Sequence, residues 1–435
     1  MSSDRRLDLA VAAFAVFVLS QGPVLTLWAR HSPPWDAFAI PAATVTTFWM
    51  VHALVLFRWA RAADGPGRAP VAIALFGATS TWLVLSTVWS TGPSATFTNA
   101  AGGLAVVATG WWLRSRMSTV AAIWAVWVGT VAGVLVSAIA IAIDAPFAVD
   151  PNGERVGIYG NRNSLAPVAM LAVLSSIALV VLEIDQRRSR DHAGPVPAML
   201  TVAALLAGAG LSMWAVLVSG SLTSWFAAGA AATTAIAFAI AANRLSRRTL
   251  ALGLVGAAAV LGVAFLLVGP LVSRALGRGS NFTSRGEIWD AAWTGYLQRP
   301  KLGWGFAAAW WDPEFRAPLS TNPLLEATIF EAHNGYLEVL VGGGPIALLL
   351  LFASLAASAV AIAGSGRPGT DLVEGWWWAG IAAFCVTANL QESFIGGNHL
   401  MWLLLVASGA GVGGREDRAP TQWPRSTRTT AADAA

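Results

Sequence analysis

The sequence predicts an all-α polytopic membrane protein: about twelve transmembrane helices and one large external loop that carries an interfacial helix. Three observations predict it. The 435-residue chain is 56% hydrophobic and only 11% charged, against about 25% charged in an average soluble domain. Its apolar residues gather into runs of helix length separated by short polar connections, as bilayer-spanning helices require. One long segment, from Pro270 to Gly335, breaks that pattern: it has no uninterrupted spanning run and is rich in tryptophan.

Taken in order, the candidate spans are 7–29, 37–57, 70–91, 96–113, 118–143, 164–183, 196–218, 222–242, 249–269, 336–363, 374–394 and 399–413. Each is near the roughly 20 residues that a bilayer crossing needs. The opening MSSDRR and the run after it lack a small-residue cleavage site behind a short apolar core, so a retained first helix is expected. The chain thus divides into nine helices over 1–269, an external catalytic loop over 270–335, three helices over 336–413 and a polar tail over 414–435. That tail has no periodicity and reads as disordered.

Charge sets the orientation. With the N-terminus in the cytoplasm, 18 of the 27 basic residues fall inside and 9 outside, in keeping with the excess of Lys and Arg in cytoplasmic loops. Six of those nine lie in the 270–335 loop, and two more, Arg155 and Arg162, lie in GERVGIYGNRNSL after the fifth span. All the basic residues except Lys301 are arginine. Because they sit in short loops between apolar runs, the net charge of +4 marks topology and no nucleic-acid partner is expected. Cys385 is the single cysteine, which excludes an intramolecular disulfide and a thiolate metal cluster.

The long loop has its own organisation. Its tryptophans, Trp289, Trp293, Trp304, Trp310 and Trp311, argue against disorder. From Ser284 to Leu297 the apolar residues Ile288, Trp289, Ala292, Trp293, Tyr296 and Leu297 follow the spacing of one helical face. That stripe serves equally a helix lying flat at the outer membrane surface, with Arg285 at its start, or a helix packed on the bundle. Six acidic residues balance the six basic ones, so any anion site must come from particular arginines held in geometry.

His333, followed by Asn334 and Gly335, stands where the loop re-enters the membrane. A lone histidine at a loop end is ordinarily a surface residue, yet its unperturbed pKa of about 6.5 suits proton transfer near neutrality. Beyond it, Gly342, Gly343, Gly344 and Pro345 sit inside a helix that would prefer none of them; in membranes they permit close packing or a local break.

Four stretches together resemble the O-antigen ligase and exopolysaccharide-polymerase superfamily of bacterial membrane glycosyltransferases. They are GERVGIYGNRNSLAP at 153–167, SRGEIWDAAWTGYLQRPKLGWGF at 284–306, AHNGYLEVLVGGGPIALLL at 332–350 and ANLQESFIGGNHLMWLLL at 388–405. The most specific signal is a histidine, ten residues and a glycine directly after the large loop, here His333 and Gly344. The arginine-x-x-x-leucine motif of that superfamily is not intact, since Arg285 is followed by Trp289. The resemblance implies a GT-C-like fold in the bacterial plasma membrane, both termini cytoplasmic. It further implies transfer of a glycan from an undecaprenyl-pyrophosphate-linked donor to an acceptor hydroxyl at the external face, with no metal, cofactor or nucleotide sugar. In that reading His333 is the base, Arg155 and Arg285 hold the pyrophosphate, Arg162 is a third ligand, and Asn334 and Gly344 shape the site. Its partners are the lipid-linked oligo- or polysaccharide donor, a glycan, lipid or protein acceptor, and membrane lipids.

A ligase and a polymerase differ only in the acceptor, which the sequence leaves open. The competing reading is a transporter of polysaccharide or lipid-linked glycan. Against it, few ionisable residues fall inside the spans, His52, Glu338 and Glu392 standing near span ends, and no internal repeat is detectable. A non-catalytic scaffold would tolerate replacement of His333 and the external arginines.

Overall fold

The computed structural model describes residues 3–24, 42–61, 69–150, 153–188, 195–275, 285–322, 329–365 and 372–410. The polar tail therefore lies outside the described residues. Among those described there is no strand, only one antiparallel bridge between Val149 and Arg155. The helices of ten residues or more are α1 (Ser3–Leu19), α2 (Ala42–Ala60), α3 (Val71–Leu85), α4 (Pro93–Arg116), α5 (Thr119–Ala142), α6 (Arg162–Arg188), α7 (Pro195–Ser219), α8 (Leu222–Ala241), α9 (Arg247–Ala275), α10 (Arg285–Gln298), α11 (Gly335–Gly364), α12 (Leu372–Ala388) and α13 (Leu400–Gly409).

Each expected apolar run carries a helix, with α10 added by the long loop, but among the described residues seven are long and apolar enough to cross a membrane. These are α3, α5, α6, α7, α8, α9 and α11. The last expected span differs most. The run at 399–413 gives α13, ten residues long and buried at every one of them. Ten residues extend about 15 Å, half of the roughly 30 Å hydrocarbon core. A helix that is apolar all round belongs inside a bundle, and α13 packs against α4, α11 and α12.

Around that core, α1 packs on α5, α5 on α6 and α6 on α7, while α8 packs on α12 and α3 on both α4 and α11. Small residues let the axes approach, as is usual between membrane helices: a Cβ on Gly129 of α5 would stand 2.6 Å from the Ala13 carbonyl oxygen of α1. Polar contacts fix the pairs, with the Arg58 guanidinium of α2 on the Asp8 carboxylate of α1 at 2.9 Å and Arg114 of α4 on Glu374 of α12.

The long loop builds a second, smaller core of its own. Ile288, Ala292 and Tyr296 of α10 turn inward onto Trp304, Trp310 and Phe315, with Val341 of α11 at its base. Trp293 and Leu297, from the same expected stripe, stay 49% and 55% exposed. The stripe divides because i+1 neighbours on a helix stand about 100° apart, and only the edge carrying Ile288 and Tyr296 meets the loop's tryptophans.

Of the two outcomes that the glycine run allows, close packing or a break, helix α11 shows a break. Gly344 has φ 69°, in the left-handed region, and Pro345 follows it without an N–H. The break releases three carbonyls from the helix ladder. Val341 O accepts from Trp304 N at 2.9 Å, Gly342 O from Gly305 N at 3.0 Å and Gly343 O from the Trp82 indole at 2.7 Å. The loop segment KLGWG is thereby docked onto the helix that carries the start of the site.

Candidate active site

The site forms where three segments meet: the start of α10, the turn before α11 and the turn after α12. Asn334 caps α11, its Oδ1 accepting from the backbone N–H groups of Tyr336 and Leu337, both at 3.1 Å. This is the satisfaction of free N–H groups that a helix start requires. His333, just before the cap, sits at φ 47°. Its Nδ1 lies 3.0 Å from Glu331 Oε1 and 3.2 Å from Glu392 Oε2. The other oxygen of Glu392 accepts from Arg285 Nη2 at 2.6 Å. Arg285 and His333, 48 positions apart by subtraction, thus grip the two oxygens of one carboxylate.

Glu392 and Arg285 are nearly out of solvent, their side chains 4% and 10% exposed, whereas Glu331 is 41% exposed. Burial alone would lower the pKa of His333; the carboxylate of Glu331, and then that of Glu392, outweigh burial and raise it to about 10. The free-histidine value behind the sequence expectation does not hold here. The imidazole rests protonated, and with the guanidinium it balances two carboxylates. Among the described residues the Nε of Arg285 is buried and has no hydrogen-bond partner, an unmet donor of the kind that an anion accepts.

A buried carboxylate behind the histidine holds the loop to the membrane helix. Glu338, one turn into α11, accepts from the Trp310 indole at 3.0 Å with both oxygens and from the Ala332 N–H at 2.9 Å. Burial of a carboxylate is costly unless it is hydrogen-bonded, and here the donors come from the loop core and from the residue before His333.

Arg155 and Arg162 make their contacts within their own loop. Arg155 is exposed and occupies the isolated bridge with Val149; Arg162 begins α6 and pairs with Glu154. The connection to the cluster runs through polar side chains instead: Ser221 donates to Asn163 Oδ1 at 2.9 Å, and Thr223 bonds Gln391, the neighbour of Glu392. The loop that carries both arginines is anchored by Tyr159, whose hydroxyl meets Ser20 Oγ at 3.1 Å and whose ring fills the space over Gly22 and Gly133.

Glu331 and Glu392 are the functional candidates that the sequence reading did not assign a role. A signal existed for Glu392, since an acid inside an apolar run is expensive and marks a site by default. The helix in fact ends at Ala388, and Glu392 stands in the turn beyond it. Glu331, His333 and Glu392 also place three possible metal-ligand atoms within 4.8 Å of one another, although one carboxylate is already shared with Arg285.

Residues 207–352 match the family model described as O-antigen ligase. The matched stretch contains Arg285, His333, Asn334 and Gly344, while Arg155, Arg162 and Glu392 lie outside it. No curated protein matches the chain. Residues 207–352, which carry the histidine, the arginine and the broken helix, are thus similar to the O-antigen ligase family.

Proposed function

We propose that this chain is a glycosyltransferase of the bacterial plasma membrane, acting on an undecaprenyl-pyrophosphate-linked glycan and passing it to an acceptor hydroxyl at the external face. The observation that carries the reading is the convergence of His333 and Arg285 on Glu392. A carboxylate on Nδ1 orients an imidazole and raises the basicity of its far nitrogen. Once the imidazole has lost its resting proton, Nε2 of His333 takes the proton of the acceptor hydroxyl, that oxygen attacks the anomeric carbon, and the bond from this carbon to the pyrophosphate oxygen breaks. Arg285 donates to the departing pyrophosphate, where a fixed donor is typically worth a few kcal/mol. Arg155 and Arg162 act as further ligands from the neighbouring loop, Asn334 and Gly344 hold the shape of the site, and α10 lies at the outer membrane surface with Trp293 and Leu297 toward lipid. Charge balance within the cluster supports a reaction without metal, and both termini are cytoplasmic.

The test is transfer by purified protein in lipid, from a radiolabelled undecaprenyl-pyrophosphate glycan to two acceptors: a lipid anchor and a second lipid-linked repeat. Wild type is expected to transfer with chelator present, and His333→Ala is expected to be expressed but inactive. Use of the anchor marks a ligase and use of the repeat a polymerase. Movement of intact donor across the bilayer with no sugar–phosphate cleavage would make the protein a transporter.

A further inference from the structure

His333 must hold its imidazole against Glu392 from a backbone conformation that residues with a Cβ rarely adopt, φ 47°. Such a conformation persists only where its surroundings over-determine it. The α-carbon of His333 is flanked by two peptide planes, each rigid, and each plane is held by one side chain. On the N-terminal side the Ala332 carbonyl accepts from the Trp289 indole N–H at 3.0 Å. On the C-terminal side the Asn334 N–H donates to Ser393 Oγ at 3.1 Å.

The origin of these two side chains is informative. Trp289 stands one turn after Arg285 on α10, and Ser393 follows Glu392 directly. Each segment therefore supplies one charged group to the cluster and one clamp to the backbone of the histidine. We propose that Trp289 and Ser393 are positioning residues for the transfer reaction: by fixing the peptide planes on either side of His333 they hold its imidazole between Glu331 and Glu392. The proposal rests on the reading of His333 as base. It also gives the arginine-x-x-x-tryptophan spacing a purpose, because a leucine at 289 would have no N–H to offer Ala332.

Trp289→Phe keeps the ring and removes the donor; Ser393→Ala removes the acceptor with little change of volume. In the transfer assay each is expected to lower kcat about tenfold, the worth of one well-placed hydrogen bond, with donor KM and thermal midpoint near wild type. The rise of transfer with pH should also move to lower pH, because a drifting ring loses its two carboxylates. Wild-type kcat and pH profile in both variants, beside an inactive His333→Ala, would overturn the proposal and leave the base assignment standing. A fall in rate matched by loss of folded protein, the folded fraction turning over normally, would make the two residues merely structural and also overturn it. Full transfer by His333→Ala would instead remove the base, and the positioning proposal with it.

Discussion

A proton on His333 is held more tightly than on a free histidine, and the consequence for pH dependence is opposite to that of a base poised at neutrality. Because the pKa is raised from 6.5 to about 10, the folded state gains from the imidazolium. That contribution to stability is fully present below about pH 6.5 and is lost as pH rises through about 10. Catalysis by the neutral ring runs the other way. Transfer should climb with pH toward about 10 in wild type, and Glu331→Gln, which removes the strongest attraction on the proton, should shift the climb to lower pH. A pH–rate profile of kcat checks this, and an unshifted profile would separate Glu331 from the base. Glu392→Gln is the more severe change, since it leaves the nearly buried Arg285 without its counter-charge; the expected loss of stability is roughly 3–5 kcal/mol, measurable as a fall in the thermal midpoint. The sequence could name His333 and Arg285 because both belong to local motifs. It could not supply the perturbed pKa, which arises once the fold sets Glu331, and then Glu392, 59 positions beyond His333, against one nitrogen of the ring.

Helix α11 shows how a local sequence defect becomes a docking element. The glycine run and Pro345 permit close packing or a break, and a break appears at Gly344. What takes the released carbonyls is a tertiary matter: two backbone N–H groups of the loop and the indole of Trp82, 261 positions from its partner. Gly344→Ala should be costly on two counts. A side chain in the left-handed region costs about 1–2 kcal/mol, and its Cβ would meet the Lys301 carbonyl at 2.6 Å. The expected outcome is a lower thermal midpoint in detergent together with faster proteolysis of the loop, since the KLGWG segment loses its seat on α11. A variant as stable as wild type would mean that the break tolerates a Cβ. In α10 the periodicity gave the helix to within a residue at each end, but not which of its apolar residues would meet the loop core. That choice depends on Trp304 and Trp310, which the helix does not contain.

For the whole molecule, orientation is the property most open to direct measurement. Cys385 is buried and is the single cysteine of the chain, so introduced cysteines can be read one at a time. Arg155→Cys should react with a membrane-impermeant thiol reagent added outside, and Arg244→Cys only after the membrane is opened. The reverse pattern would invert the topology and move the cluster around His333 to the cytoplasmic face. The two cores divide the molecule as well: the larger is built mainly from the apolar helices, the smaller from a loop packed around its own aromatic residues.

The sequence by itself determined the class of the molecule and the positions of its helices, marked α11 for close packing or a break, and singled out Arg285 and His333 as candidates for the chemistry. These are legible because hydropathy, glycine and proline act locally, within a turn or a bilayer's width of chain. Only the tertiary structure decided that α13 is a core helix too short to span a bilayer, that Glu392 leaves the apolar run to stand between an arginine and a histidine, and that Arg162 pairs with Glu154 in its own loop. Those outcomes depend on which distant segments are brought together. Burial then sets their strength, because a charge taken out of water is stable only beside its opposite.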